Sequence, residues 1–140
     1  MNYLLDTCVL SEFTRRKPEE KILQWVASID EERLFLSAVT IGEIQRGIER
    51  LPDSNRKTEL QVWWNNGLLD RFHDRVLPLD AQTMLLWGSL TARMENNGQP
   101  MSVMDALIAA TAFQHNLIVV TRNQSDFLLC GVQLINPWIQ

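Results

Sequence analysis

Residues 102–121 read SVMDALIAATAFQHNLIVVT, and their reading decides the fold class. Ser102 stands three residues ahead of Asp105, in the [ST]-x-x-[DE] pattern of a helix start. From there to about His115 the chain is strongly apolar, as expected of a helix buried among other elements. Leu117 to Val120 is short and rich in β-branched residues, which predicts a central strand. A buried helix feeding straight into a buried strand is the repeating unit of α/β proteins built around a parallel sheet.

The rest of the chain repeats this alternation. Asn2 to Leu5 predicts a short buried strand, followed after Asp6 by a brief helical stretch around Val9 to Phe13 and the basic triplet Arg15, Arg16, Lys17. Pro18 suits the first position of a helix with Ile22, Trp25, Val26 and Ile29 on one face. Leu34 to Ser37 predicts a second strand. Ile41, Ile44, Ile48 and Leu51 mark a helix that Pro52 and Asp53 end, and a further amphipathic helix is expected from about Arg56 to Leu69. Val76 to Leu79 predicts a strand, with Asp80 as N-cap of a helix from Ala81 to about Glu95. Gly131 to Ile135 predicts a last edge strand ahead of Pro137. The expected architecture is a three-layer α/β/α sandwich with a mainly parallel sheet, in one domain spanning residues 1–140.

In such sheets ligands gather beyond the carboxyl ends of the strands. Asp6 lies just past the first strand, and Asp126 follows the Leu117 to Val120 strand after a short loop. Glu43 and Asp105 are placed in the first turns of helices, where backbone N–H groups favour negative charge. Each has an ordinary reading: Thr40 to Glu43 and Ser102 to Asp105 as capping boxes, Asp6 as a turn former, Asp126 as an Asx turn. Asp105, however, opens a buried helix, where an unpaired charge is costly. Gathered together, the four acids repel one another, and the usual remedy is a divalent cation held through oxygen, Mg2+ or Mn2+. Thr121 and Asn123 add neutral oxygen donors nearby. Glu43 shares a helical face with Arg46, Gly47 and Arg50, so an acidic site beside a basic wall is expected, as suits a phosphodiester strand. Arg15 and Arg122 complete the candidate phosphate contacts.

Composition leaves this chemistry open. The 17 acids and 13 bases give a net charge of −4, but without the four candidate ligands the remaining 13 acids match the 13 bases. Cys8 and Cys130 form neither a CxxC pair nor a disulfide framework, which fits a reducing cytoplasm. No secretory signal or run of about 20 apolar residues is present, so a soluble intracellular protein is expected. His73 and His115 are too few for a histidine metal cluster. The five tryptophans read mainly as core or interface residues, with base stacking the lesser alternative. No G-x-S-x-G elbow supports a serine hydrolase.

Taken in order, Leu4-Leu5-Asp6-Thr7, the segment Ser37 to Ile48, the segment Asp105 to Ala112, Val120-Thr121-Arg122-Asn123 with Asp126-Phe127, and Asn136-Pro137-Trp138 resemble the PIN-domain family in its VapC-type toxin and FitB-like branch. The resemblance implies a PIN fold and an Mg2+- or Mn2+-dependent ribonuclease. Asp6, Glu43 and Asp105 then fall on the core acidic positions, Asp126 on the usual fourth, and Thr121 and Asn123 on accessory positions. It also implies a homodimer neutralised by a small antitoxin, whose C-terminal segment crosses the groove and often offers an Arg to the acids; DNA is reached only through that partner. The family commonly has Asn two residues after the first Asp, where this chain has Cys8, a poorer hydrogen-bond partner for Asp6.

Two rival readings differ from this one. A haloacid-dehalogenase-type phosphatase would use Asp6 after its strand, but wants a second Asp where Cys8 stands. A non-cleaving PIN subunit within a DNA-bound regulatory complex would keep the fold and have its pocket filled by the partner.

Overall fold

The computed structural model describes residues 1–139. The elements run β1 (Tyr3–Leu5), α1 (Thr7–Glu12), α2 (Glu20–Ser28), β2 (Leu34–Ser37), α3 (Ala38–Glu49), α4 (Asn55–Val62), α5 (Leu69–Arg71), β3 (Val76–Leu77), α6 (Ala81–Asn96), α7 (Val103–His115), β4 (Ile118–Val120), α8 (Gln124–Phe127) and β5 (Leu134–Ile135). A π-helical segment, Trp63–Leu68, joins α4 to α5.

The five strands form one sheet in the order β3-β2-β1-β4-β5, and every pairing is parallel. Alternate residues of the central strands face opposite layers, as strand geometry requires. Tyr3, Leu5 and Val120 join a core beneath α1 to α4 with Ile22, Ile44, Leu60 and Trp64. Leu4 and Val119 join the other core with Leu90, Ile108 and Phe127 from α6, α7 and α8. Central strands buried on both faces explain why these stretches read as unbroken apolar runs.

Several local expectations shift by a few residues. α3 starts at Ala38, directly after β2, because the Ser37 hydroxyl accepts from Val39 N at 3.1 Å. Glu43 therefore sits in the second turn, and Thr40 is not its cap. Helix α2 starts at Glu20 rather than Pro18, since its N-cap Glu19 is held by a 2.7 Å bond from its N–H to the buried Glu12 carboxylate. Asp80 caps α6 in a reciprocal box with Thr83. The last strand is shorter than expected, because Gly131 turns with φ +88° before it. Among the described residues no helix is long and apolar enough to cross a membrane.

Candidate active site

The chain leaves β1 toward β2 on one side, and β4 lies on the other. The strand order thus reverses between β1 and β4, and the crevice beyond their carboxyl ends is where such sheets bind ligands. Asp6 and Thr121 are the first residues past those two strands. The Asp6 N–H extends the ladder to Val120 O at 3.0 Å, so the carboxylate is fixed at the head of the crevice.

Asp6 is 6% exposed. Its Oδ1 accepts from Thr7 N at 2.8 Å and its Oδ2 from the fully buried Thr121 hydroxyl, also at 2.8 Å. Asn123 N donates to the same Thr121 oxygen at 3.0 Å. Cys8 takes part as well: its thiol donates to Asp6 Oδ2 at 3.7 Å and its sulfur accepts from Arg122 N at 3.4 Å. Thr7 reaches the other way, donating from its hydroxyl to Glu43 Oε1 at 2.5 Å. One residue thus links the loop after β1 to α3 through two carboxylates.

Asp105 stands in the first turn of α7, its N–H bonded to the Ser102 hydroxyl at 3.2 Å. Asp126 is exposed on α8. Both line a cleft of about 340 Å³ with Ser102, Ser125 and Gln99. Glu43 lines a different groove of about 300 Å³ with Thr7, Ser11, Gly47 and Arg56. The acids nevertheless sense each other. Burial pushes the Asp6 carboxyl above its ordinary value, and the charges of Asp105 and Glu43 push in the same direction. Burial likewise raises Asp105, with Asp126 and Glu43 adding to the rise.

Among the described residues, none of these four carboxylates is in an ion pair with Lys or Arg. Nor do any three Asp, Glu, His or Cys side chains form a group able to surround one ion. The donor set therefore fits a hard cation held by one or two carboxylates and keeping several waters, as Mg2+ commonly does, rather than a closed protein cage. Mutual repulsion without a basic partner is the observation that favours a cation there.

The expected phosphate contacts are more scattered. Arg15 pairs with Glu12 at 3.2 Å. Arg46 is exposed on the last turn of α3 and Arg50 is exposed just past its end, while Gly47 and Leu51 line the groove beside Glu43. Arg122 lies over the Trp138 ring, 6.0 Å from its centroid. Arg56, absent from the sequence-based candidates, occupies the groove wall and donates to Thr14 O; at the start of a surface helix it looked like any solvated base.

A family model for the PIN domain matches residues 3–128. The chain belongs to the PIN-domain family. This PIN domain is 34% identical over 135 residues to Toxin FitB of Neisseria gonorrhoeae, covering 96% of this chain and 97% of that one. It is 35% identical to the VapC ribonuclease Y4jK of Sinorhizobium fredii, covering 96% of each. A solved structure of FitAB bound to an IR36 DNA fragment superposes with a TM-score of 0.93 at 33% identity, covering 97% of this chain and 95% of that one. The PIN fold expected from the sequence is thus present.

Proposed function

We propose that the chain is a single PIN domain acting as a metal-dependent endoribonuclease, the toxin of a toxin–antitoxin pair. The observation that carries the reading is the set of mutually repelling carboxylates around the switch point of the sheet, with Asp6 and Asp105 raised and no basic partner at hand. A relative named as a VapC ribonuclease supports RNA as the substrate.

Asp6 and Asp105 would hold Mg2+ or Mn2+, with Glu43 and Asp126 reaching it through bound water, since no three of these side chains surround one point. When bound, the ion supplies a water of lowered pKa and offsets the charge that builds on the phosphate during in-line displacement. Thr121 and the Thr7 amide fix the plane of the Asp6 carboxylate, while the Thr7 hydroxyl donates to Glu43 and so ties it to the same loop. Asn123 secures Thr121 through its backbone. Arg15, Arg46, Arg50 and Arg122 contact the RNA backbone, giving affinity without reading sequence. The partners are a small antitoxin and a second copy of this chain, in the cytoplasm.

A second reading follows from the similar FitAB structure on DNA. In it the chain acts mainly as a non-cleaving subunit of a regulatory complex and meets DNA only through its partner. The two readings separate on one experiment. Purified protein should cleave RNA with Mg2+ or Mn2+, and Asp6→Asn, Asp105→Asn or chelator should each remove the activity. Equal cleavage in all samples would assign it to a contaminant, and no cleavage in any, with operator binding only beside the partner, would favour the second reading.

A further inference from the structure

We propose that Asn136 is a positioning residue for Asp6, acting on it through a line of hydrogen bonds that all point the same way. The inference rests on the reading of Asp6 as a cation ligand and adds a residue that touches neither the ion nor the RNA. It starts from the strand ends. Strands β1, β4 and β5 lie side by side, and the first residues past them are Asp6, Thr121 and Asn136. All three are polar and buried, at 6%, 0% and 4% exposure. Their backbones continue the sheet: Asp6 N donates to Val120 O at 3.0 Å, and Thr121 N donates to Ile135 O at 3.1 Å. A buried carboxamide is costly unless its groups are bonded, so the partners of Asn136 define what it does.

Its Oδ1 accepts from Trp138 N at 2.9 Å, as in an ordinary Asx turn. Its Nδ2 donates to Arg122 O at 3.3 Å, in the loop after β4. The turn alone would be served by Asp or Ser; the bond to a carbonyl needs the amide donor. Arg122 O and Asn123 N belong to one peptide unit. While Asn136 holds its oxygen, its N–H donates to Thr121 Oγ1 at 3.0 Å, and the Thr121 hydroxyl donates to Asp6 Oδ2 at 2.8 Å. Every donor in the line thus points toward the carboxylate, and bonds in series polarise one another. Asn136 therefore sets the loop on which the Asp6–Thr121 bond depends, and bonds of this kind orient a metal ligand and tune its basicity. Trp138 holds the same loop residue by its side chain, with the Arg122 guanidinium 6.0 Å from the ring centroid.

The test compares Asn136→Ser with the unaltered chain. Serine keeps an acceptor for Trp138 N, adds no charge and is too short to reach Arg122 O. In metal-free protein the Asn123 amide should exchange its hydrogen about tenfold faster in the variant, with the core amides unchanged. Mn2+, titrated by calorimetry, should bind about tenfold more weakly. Asn116→Val, which loosens the end of α7 opposite Asp105, is the control for lost stability alone and should move neither reading. Unchanged exchange at Asn123 overturns the proposal, as does unchanged Mn2+ affinity in a variant that exchanges faster, or an Asn116→Val that matches Asn136→Ser in both. If Asn136→Ser fails to fold, nuclear magnetic resonance of the unaltered chain decides. One Asn136 side-chain N–H should be protected from exchange, and Asp6→Asn should shift its resonance together with that of the Asn123 amide. Solvent-like exchange of both side-chain protons, or resonances indifferent to Asp6→Asn, refutes the line of bonds. An unaltered chain that binds no Mn2+ would instead remove the cation reading, and the exchange measurements then decide the role of Asn136 alone.

Discussion

Burial lifts the Asp6 carboxyl above its ordinary value of 3.8, and hydrogen bonds from Thr121 and Thr7 only partly offset this before Asp105 and Glu43 raise it again. A carboxyl with a higher pKa folded than unfolded binds its proton more tightly in the folded state, so ionising it opposes folding. That penalty is absent below the unfolded value, grows as pH rises through the folded one and is constant above it. In metal-free protein, Asp6→Asn should therefore raise the melting temperature at pH 7 by a few degrees, with no gain left at pH 3. Thermal melts followed by circular dichroism would show it, and a difference independent of pH would contradict it. Cys8 is affected by the same surroundings. Burial first, then the Asp6 charge, pushes its thiol from 9.0 up to about 11, so it remains a protonated donor to Asp6. Because only the thiolate attacks, labelling of Cys8 by a disulfide reagent at pH 8 should run roughly a hundredfold slower than in denatured protein. Comparable rates would mean that the thiol is not held as described. At this scale Asp6 and Asp105 were legible in the sequence, since a strand end and a buried helix start each flag an unusual acid. Thr7 was not singled out, because a threonine beside an aspartate has no spacing that reveals a bond to an acid thirty-six positions away.

Helix boundaries depend on bonds between elements, and those are what local patterns miss. The Thr40 to Glu43 pattern marks a start for α3 three residues too late. The strand–helix junction selects Ser37, because β2 ends there and leaves no loop before the helix. Likewise the helical periodicity of residues 56–69 was readable, whereas the π-helical turn at Trp63–Leu68 was not. Trp64 is buried there with its indole N–H on Gln45 Oε1 at 2.9 Å. Glu12 shows the same dependence energetically. It is 3% exposed, accepts from Glu19 N at the start of α2 and pairs with Arg15. Glu12→Ala would leave that amide without its acceptor and should cost about 1–3 kcal/mol, read as a lower urea midpoint at unchanged slope. A midpoint equal to wild type would mean water replaces the bond freely. At the other end of α7, Asn116 closes the helix at φ 55°, ψ 51°, a left-handed conformation that a β-branched residue resists. Asn116→Val should cost about 1–2 kcal/mol, while Asn116→Gly should change stability by less than about 0.5 kcal/mol. Equal losses from both would place the cost in the side chain's contacts rather than in the backbone.

For the molecule as a whole, the parallel sheet was legible because its strands are short, apolar and separated by helices. The order β3-β2-β1-β4-β5 was not, since pairing between β1 and β4 joins residues more than a hundred positions apart and leaves no local mark. Yet that order brings Asp6 and Thr121 side by side, and with them the site. A fold that assembles like charges from four distant segments is held together against their repulsion by its two cores, and a bound cation would relieve the strain. Any ion that binds the folded chain and not the unfolded one adds stability by mass action, about 2.7 kcal/mol at a hundred times its dissociation constant. Mn2+ or Mg2+ should therefore raise the melting temperature of the wild-type chain by roughly 5–10 °C at saturation, and chelator should reverse it. The effect should invert the order of the variants: without metal Asp6→Asn melts above wild type, and with metal it melts below. Lowering the pH should abolish the metal shift as Asp6 and Asp105 take up protons, since the same carboxylates bind either species. A melting temperature indifferent to both ions, or raised equally in Asp6→Asn and Asp105→Asn, would remove the cation from this site and leave its acids without a counterion.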